Sequence, residues 1–306
     1  QQQPYHIETL IRNPGVSTFV NITKGCDNFC TFCVVPFTRG RERSRPLQHL
    51  LDDVHKLVDR GVKEITLLGQ NVNSYTSDCG GNFADLLRTL SLKTGIERIR
   101  YTTSHPKDFS DELIDVMNEH SAKIMEYIHL PVQCGSSEVL ARMNRGYTRE
   151  EYLERIAAIF ARLPQAVLST DIIVGFPGET DAQFEETMTL LQQVPFENIF
   201  AFAYSPRPMT KAARFEGQIS AQVKSERLTR LLKFHRDLSF ELAKKYLGQT
   251  VKVLVERHDA QTGLLQGRST QNKPVYFSGS VGVIGQTVDV RIDEALPLVL
   301  RGERVQ

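Results

Sequence analysis

The sequence alternates between strand-like and helix-like segments, and this alternation limits the fold more than any other feature of the chain. Short apolar runs are separated by longer stretches whose apolar residues recur with the period of a helix. The strand candidates are residues 19–24, 64–68, 98–103, 127–132, 167–174 and 199–204. Alternating strands and helices predict parallel strands joined by right-handed crossovers. Because six such units are too few for a closed eight-fold barrel, we predict an α/β fold, a partial (β/α)6 TIM-like barrel.

The residues that directly follow the strand candidates carry the chemistry that a binding site needs. Parallel strands present their carboxyl ends at one edge, so the residues after them lie close together. Glycine allows close approach of a ligand, and amide, hydroxyl and sulfur groups offer directional contacts. The strand ends carry, in chain order, Gly25-Cys26, Gly69-Gln70-Asn71, Ser104, Gln133, Gly175 and Ser205.

A smaller domain follows the barrel. Residues 220–247 form a long helical pattern that ends at Gly248, a residue typical of helix ends. From residue 250 onward, short strand-like runs at 251–256, 275–277 and 287–292 are punctuated by glycines, which predicts a small five-stranded β-barrel. We therefore divide the chain into a linker remnant at 1–16, a barrel domain at 17–247 and an all-β domain at 248–306.

Composition excludes several classes of protein. No apolar stretch approaches the roughly 18 residues that a membrane-spanning helix needs, and the first residues lack the basic and apolar parts of a signal peptide. Five cysteines, three of them clustered, do not form a disulfide framework. Free thiols fit a reducing compartment, so we predict a cytoplasmic protein without a membrane partner. With a net charge of +1, any nucleic acid would have to bind a local basic surface.

Cys26, Cys30 and Cys33 lie at CxxxCxxC spacing directly after the first strand candidate. Zinc modules typically use CxxC pairs and need four ligands, whereas this loop offers three thiolates and no fourth Cys or His nearby. Three protein thiolates on a four-iron cluster leave one iron open, and an open metal position is a place for chemistry. The pattern therefore predicts a [4Fe–4S] cluster. The alternative is half of a split zinc site, closed by Cys79 or Cys134.

Four arginines follow the cysteines at every second position: Arg39, Arg41, Arg43 and Arg45. The proline that comes next disfavours a helix at the last of them. In an extended segment this spacing points all four side chains to the same side. We interpret them as a ridge that contacts nucleic-acid phosphates close to the metal site. A solvated basic loop with carboxylate partners in the same chain is the alternative.

Three stretches together resemble the radical S-adenosylmethionine (SAM) methylthiotransferases. They are residues 25–45 around the cysteines, residues 130–136 with 143–149, and the C-terminal domain, which is similar to the RNA-binding TRAM domain of that family. The resemblance runs from about residue 17 to the end of the chain. It implies that the open iron chelates the amino and carboxylate groups of SAM, whose reductive cleavage gives a 5′-deoxyadenosyl radical. The implied cofactors are one [4Fe–4S] cluster and SAM.

The resemblance also implies cofactor roles for residues at the strand ends. Gly69, Gln70 and Asn71 match a short motif that holds the methionyl amine of SAM, although many family members carry a carboxylate there. The stretch that contains Asp171 and Gly175 is similar to a fifth-strand signature near the adenine. The glycines of that signature alternatively serve only the turn and the start of the next helix.

Four further residues complete the expected SAM site: Phe32, Ser104, Gln133 and Arg145. The aromatic ring between two cysteines is suited to pack against a planar ring held beside the cluster. An arginine at this edge of the barrel pairs with either the SAM carboxylate or an RNA phosphate. A basic face on a surface helix is the third interpretation of that arginine.

Within the family, the chain looks most like the tRNA methylthiotransferases that act on isopentenyl-adenosine beside the anticodon. Such enzymes add a methylthio group to carbon-2 of that adenine; one SAM donates the methyl group and a second generates the radical. The implied partners are the anticodon stem-loop of tRNA and an electron donor such as flavodoxin or ferredoxin.

Family members also carry an N-terminal domain whose three cysteines hold a second [4Fe–4S] cluster, and nothing in this sequence matches that domain. We therefore expect a truncated form that binds one cluster and SAM and cleaves SAM reductively. Complete methylthiolation is expected to require the additional domain.

Other functions stay open at this point. Sister branches of the family modify threonylcarbamoyl-adenosine in tRNA or an aspartate of a ribosomal protein, and the arginine ridge favours RNA only mildly. The alternative of another class is a non-enzymatic RNA-binding module with a structural metal. In the C-terminal domain, three basic and two aromatic residues are candidates for a modest RNA-binding surface: Arg268, Lys273, Arg291, Tyr276 and Phe277. A purely structural domain is the alternative.

Overall fold

The computed structural model describes residues 14–305, so most of the predicted linker remnant lies outside the described part of the chain. The strands of the barrel domain are β1 (Ser17–Asn21), β2 (Thr23–Lys24), β3 (Arg43–Ser44), β4 (Glu64–Leu68), β5 (Arg98–Tyr101), β6 (Tyr127–His129), β7 (Val167–Val174) and β8 (Phe196–Ala203). Its helices are α1 (Val35–Thr38), α2 (Leu47–Asp59), α3 (Phe83–Lys93), α4 (Asp111–Glu119), α5 (Ser137–Arg142), α6 (Arg149–Arg162), α7 (Asp181–Gln193) and α8 (Ala221–Ala243).

Six parallel strands form two three-stranded sheets, in the orders β1-β4-β5 and β6-β7-β8. The sheets meet where Ile99 of β5 forms a parallel bridge with Ile124, just before β6. Over residues 14–305, no strand pairs with the outer edge of β1 or of β8, so the curved sheet does not close. The prediction of a partial (β/α)6 barrel is therefore confirmed.

Helices cover the outer face of the curved sheet and bury one face of each strand. Val20, Ile65, Leu67, Ile99 and Ile172 are completely buried in this core. Side chains alternate between the two faces of a strand, so the residues between these apolar positions point into the barrel.

Several helices begin at the capping residues that the sequence indicates. The hydroxyl of Ser110 accepts the N–H of Leu113 at the start of α4, and that of Thr180 accepts the N–H of Gln183 at the start of α7. Such caps satisfy N–H groups that have no partner within the helix. Among the helices that the structure describes, none has both the length and the apolar character that crossing a membrane requires.

The first strand candidate is divided, and this division forms the base of the cysteine loop. β1 pairs with β4, but β2 turns away and pairs antiparallel with β3. The third strand candidate ends early at Tyr101, because Thr103 adopts a φ of +64°, which an extended strand does not allow. The loop that carries the cysteines is therefore closed at its two ends by the β2–β3 ribbon.

The C-terminal domain is a closed five-stranded barrel with the strand order β10-β11-β13-β12-β9. Its strands are β9 (Thr250–His258), β10 (Leu265–Ser269), β11 (Pro274–Phe277), β12 (Thr287–Ala295) and β13 (Leu300–Arg304). It has a separate core of valine, leucine, isoleucine and phenylalanine side chains. The sequence does not indicate β10 and β13, because Gly267 and Gly302 interrupt their apolar pattern.

A buried charge cluster joins the two domains at the amino-terminal end of the large barrel. In this cluster Nε of Arg100 on β5 lies 3.0 Å from Oε1 of Glu64 on β4. Arg100 also donates to the main-chain carbonyls of Ser269 and Thr270, at 2.7 and 3.0 Å, in the turn between β10 and β11. Arg98 donates to the main-chain carbonyl of Arg268, near the end of β10, at 3.0 Å. Burial lowers the pKa of Arg98 to about 10, which leaves it charged at neutral pH.

A second buried carboxylate, Glu197 on β8, also contacts the C-terminal domain, here through side chains. Nζ of Lys273 lies 2.8 Å from its Oε2, and the hydroxyl of Tyr246 donates to its Oε1 at 2.8 Å. Burial by itself would raise the pKa of Glu197, but Lys273 and Lys245 hold it below its usual value. Lys273 is therefore part of the domain interface, and its prediction as an RNA contact was wrong.

Arg100→Ala is expected to destabilise the protein far more than Lys63→Ala. The first substitution leaves Glu64 buried without its nearest positive charge, and such losses cost about 3–5 kcal/mol. Lys63 pairs with Glu97 at 2.7 Å on the surface, and exposed pairs contribute about 0–1 kcal/mol. Urea unfolding followed by circular dichroism measures both changes. Equal losses of unfolding free energy would contradict this account of the domain interface.

Candidate active site

The cysteine loop starts in the first half of the barrel and is hydrogen-bonded to the second half. The N–H and the hydroxyl of Thr31 donate to the carbonyls of Met143 and Arg142, at 3.0 and 2.9 Å. The side-chain amide of Asn144 donates to the carbonyl of Asn28 at 3.0 Å. The end of α5 and the two residues after it, 142–144, therefore fix the position of the loop, a role that no local sequence pattern indicates.

The first residue of the loop is held where only glycine fits. Gly25 has a φ of +81°, and a Cβ there would lie 2.2 Å from the carbonyl oxygen of Arg41. Its N–H donates to Oε1 of Gln70 at 2.7 Å, and the N–H of Cys26 donates to the carbonyl of Gly40 at 3.3 Å. Gln70, which follows β4, thus positions the cysteine loop directly.

The three clustered cysteines line a cavity of about 140 Å³ at the carboxyl ends of the strands. Nine residues that the sequence predicts for the site meet there: Cys26, Cys30, Cys33, Phe32, Gln70, Ser104, Gln133, Arg145 and Asp171. The other lining residues are Asn28, Val35, Thr103, His105 and Pro131. Residues that are distant in sequence thus converge on one space because the strand ends converge.

Arg145 places a buried positive charge beside the cavity. It is 5% exposed, and its guanidinium donates to the hydroxyl of Tyr147, the carbonyl of Pro131 and the sulfur of Cys30, at 3.0, 3.0 and 3.3 Å. Burial opposes the charge, but Tyr147 and Cys30 raise the pKa of Arg145 above its usual value. A side chain this deep does not meet an RNA phosphate, so the carboxylate of a bound cofactor is the better partner.

His105 and Ser104 each add a buried polar atom to the cavity. Nε2 of His105 and Oγ of Ser104 have no hydrogen-bond partner within residues 14–305. His105 is 4% exposed, and burial, with Arg145 and Lys107, lowers its pKa to about 2, so the imidazole is neutral. Nδ1 accepts the N–H of Lys107 at 3.4 Å, which leaves the ring proton on Nε2. A buried donor without a partner costs roughly 1–3 kcal/mol until a ligand satisfies it. From the sequence, His105 after the third strand is interpreted as structural, with a catalytic role as the alternative.

Gly69, Asn71 and Gly175, three predicted cofactor contacts, lie outside the lining of this cavity. A Cβ on Gly69 would lie 1.9 Å from Oγ1 of Thr23, so glycine is required here for packing. The amide of Asn71 donates to Oδ2 of Asp108 at 2.7 Å. The N–H of Gly175 donates at 2.6 Å to the carboxylate of a glutamate in the same turn. These contacts account for the two glycines, whereas Oδ1 of Asn71 is buried without a hydrogen-bond partner among the residues described.

The four arginines predicted as one ridge do not share a face, and that prediction was wrong. Arg39 and Arg41 are exposed, and Nε of Arg41 pairs with Oδ1 of Asp27 at 2.8 Å. Arg43 is half-buried in β3, whereas Arg45 is 2% exposed and donates at 2.7 Å to a carboxylate of α2. The extended segment is only two residues long, because α1 and a turn precede it.

The two remaining cysteines lie away from the cavity. Cys134 is fully buried, 3.4 Å from Oγ1 of Thr187, and burial raises its pKa to about 12. Cys79 is exposed and lies 3.1 Å from Oγ of Ser77. Because neither lines the cavity, the structure does not favour a zinc site closed by either thiol.

The donor set is compatible with an iron–sulfur cluster. In the described part of the chain, no group of three or more His, Cys, Asp or Glu side chains converges on a single metal ion. A four-iron cluster does not require such convergence, because each thiolate binds a different iron. Burial raises the pKa of Cys26 and of Cys33, so these thiols give up protons when metal binds.

Comparisons with known proteins identify the family. The profile of the Radical SAM superfamily matches residues 20–191, and that of the TRAM domain matches residues 244–305. The tRNA-2-methylthio-N(6)-dimethylallyladenosine synthase of Bdellovibrio bacteriovorus is 64% identical over 304 residues, which are 99% of this chain and 67% of that protein. The synthase of Moorella thermoacetica is 48% identical over 297 residues, which are 96% of this chain and 67% of that protein.

The fold and the site define a radical SAM enzyme that carries a TRAM domain. Within that superfamily, the chain belongs to the family of tRNA-2-methylthio-N(6)-dimethylallyladenosine synthases. Its cofactors are a [4Fe–4S] cluster and SAM, as the sequence predicts. The chain spans about two thirds or less of its relatives, down to 56% of the Geobacillus thermodenitrificans protein, to which it is 47% identical.

Two solved structures share the barrel fold. A radical S-adenosylmethionine methyltransferase from Kitasatospora setae is similar with a TM-score of 0.54 and 18% identity, over 65% of this chain and 39% of that protein. The coproporphyrinogen III oxidase of Escherichia coli is similar with a TM-score of 0.53 and 18% identity, over 74% of this chain and 54% of that protein.

Gly25→Ala is expected to displace the cysteine loop, whereas Gly61→Ala is its matched control. Both glycines have positive φ, at +81° and +86°, but only at Gly25 would a Cβ overlap a neighbouring backbone. The rate at which a thiol reagent labels Cys26, Cys30 and Cys33 in the cluster-free protein reports the loop position. Labelling should accelerate in Gly25→Ala alone. If labelling accelerated equally in both variants, the cause would be the strain of a positive φ and not the overlap with Arg41, which would contradict this explanation.

Proposed function

We propose that Cys26, Cys30 and Cys33 hold the [4Fe–4S] cluster and that SAM occupies the adjoining cavity. The observation that carries this proposal is the convergence of the three thiols and Arg145 on one space of about 140 Å³. A guanidinium nitrogen of Arg145 lies 3.3 Å from Sγ of Cys30. A positive charge at this distance stabilises a thiolate and the negative charge of a bound cluster.

The cluster and SAM, when bound, supply a 5′-deoxyadenosyl radical that removes a hydrogen atom from the substrate. The side chains of this chain position the cofactors for that step. Phe32 offers an aromatic surface, and Ser104, Gln133 and Asp171 offer polar groups within the same lining. His105 offers a neutral ring nitrogen whose proton has no other acceptor among the residues described.

We further propose that the whole protein adds a methylthio group to carbon-2 of isopentenyl-adenosine, also called N6-dimethylallyladenosine, in tRNA. Family membership supports this substrate, and the TRAM domain supports binding to RNA. Arg39 and Arg41 are exposed close to the cysteine loop, where they suit the phosphates of an anticodon stem-loop. A cytoplasmic location and an electron donor such as flavodoxin or ferredoxin belong to the same proposal.

Cys30→Ala is expected to abolish cluster binding, and Cys79→Ala is expected to leave it unchanged. Cys30 lines the cavity and contacts Arg145, whereas Cys79 is an exposed loop thiol outside the lining. Iron and sulfide content after anaerobic reconstitution measures the difference. Equal iron content in the two variants would refute the ligand assignment.

The reduced, reconstituted protein is expected to cleave SAM, and to do so faster with its substrate. Electron paramagnetic resonance should show a four-iron signal that changes when SAM is added. The yield of 5′-deoxyadenosine should rise with tRNA that carries N6-dimethylallyladenosine, relative to tRNA that lacks the dimethylallyl group. A signal indifferent to SAM would refute the cofactor site, and equal yields with the two tRNAs would refute the substrate.

A further inference from the structure

The inner face of the large barrel exposes aromatic side chains at its open side. Phe19 on β1 is 61% exposed, and Phe200 and Phe202 on β8 are 49% and 55% exposed. β1 and β8 are the two outer strands of the curved sheet, and neither has a further partner within residues 14–305. Exposed apolar side chains of this size mark interaction sites when they form a patch, as Phe200 and Phe202 do at successive inward positions of β8. We name these three side chains the aromatic seam.

Strand register places the seam on the same face as the cofactor cavity. Asp171 pairs with Phe200, and Ile173 pairs with Phe202, between the parallel strands β7 and β8. Paired residues of neighbouring strands lie on the same face of a sheet. Because Asp171 lines the cavity, Phe200 lies on the inner face next to it.

Contacts between side chains confirm this continuity. The ring of His129 packs edge-to-face on Phe200, with 5.8 Å between ring centroids. Nε2 of His129 lies 3.5 Å from Oδ1 of Asp171. On the opposite side of the opening, Phe19 precedes Val20, which is completely buried under the helices, so Phe19 points inward. Phe200 therefore joins the aromatic seam to the lining of the cavity.

The chemistry of the seam favours a flat, apolar ligand. Nucleobases released from a stack are bound in proteins by stacking on aromatic side chains. Phenylalanine also accepts a branched hydrocarbon substituent, because it offers apolar area without a hydrogen-bonding requirement. The three phenylalanines offer neither a positive charge nor a hydrogen-bond donor to a ligand carboxylate.

We propose that the aromatic seam binds the adenine and its dimethylallyl group, and that it selects this substituent over a threonylcarbamoyl group. This inference rests on the proposed function, because it names the residues that would contact the substrate proposed there. A threonylcarbamoyl group and an aspartate both carry a carboxylate, so the apolar seam disfavours both substrates of the sister branches. Phe200 and Phe202 are thus specificity-determining residues.

Binding of short anticodon stem-loop RNAs to the reconstituted protein with SAM tests this inference. Three RNAs differ only at one adenosine, which is unmodified, N6-dimethylallylated or N6-threonylcarbamoylated. The variants are Phe200→Ala and Phe202→Ala, and the control is Phe240→Ala on α8, where the phenylalanine is 47% exposed. Fluorescence anisotropy gives the affinities, and urea unfolding confirms that each variant is folded.

The unaltered protein should bind the dimethylallylated RNA most tightly. Loss of the apolar contact between one phenylalanine and the dimethylallyl group should reduce that preference about tenfold in Phe200→Ala or Phe202→Ala. Phe240→Ala should keep it. An unchanged preference in both seam variants, or a preference of the unaltered protein for the threonylcarbamoylated RNA, would overturn the inference. Formation of 5′-deoxyadenosine by the unaltered protein is measured separately, so a failure of the proposed function is distinguishable from a failure of the seam.

Discussion

The hydrogen-bonded attachment of the cysteine loop to the second half of the barrel is the interaction on which the rest of the site depends. The two half-sheets are joined by the bridge between Ile99 and Ile124 and by one continuous hydrophobic core. The loop crosses from one half to the other: Gln70 holds its first residue, and carbonyls after α5 accept from Thr31. The cysteines, Arg145 and the cavity between them therefore keep one geometry only while both halves stay together.

Much of this arrangement could be predicted from the sequence, because its causes are periodic or local. The alternation of strands and helices sets the partial barrel, and the strand-end rule then brings distant residues together. Gln70, Ser104 and Gln133 follow different strands, yet all three line the cavity with the cysteines. The CxxxCxxC spacing adds the chemistry, since it offers three thiolates from a single loop.

The remainder depends on partners that no local pattern reveals. Arg45 and Lys273 are basic residues in polar stretches, and the sequence suggests RNA contacts for both. Each is buried instead, because a carboxylate neutralises it. Asp53 on the neighbouring helix α2 pairs with Arg45, and Glu197, which is distant in the chain, pairs with Lys273. The side-chain N–H of Asn71 likewise donates to Asp108, a partner that its motif does not indicate. Such pairings are properties of the tertiary structure, so a sequence motif identifies the residue but not its partner.

The contact between the two domains has an evolutionary consequence. Arg98 and Arg100 bind the main-chain carbonyls of the turn between β10 and β11, and every amino acid supplies that carbonyl. These bonds therefore do not depend on which side chains the C-terminal domain carries at residues 268–270. The arginines have no such freedom, because a lysine would lose the rigid fork that reaches two carbonyls at once. This part of the interface constrains the side chains of one domain only, whereas the contacts of Glu197 with Lys273 and Tyr246 constrain side chains on both sides.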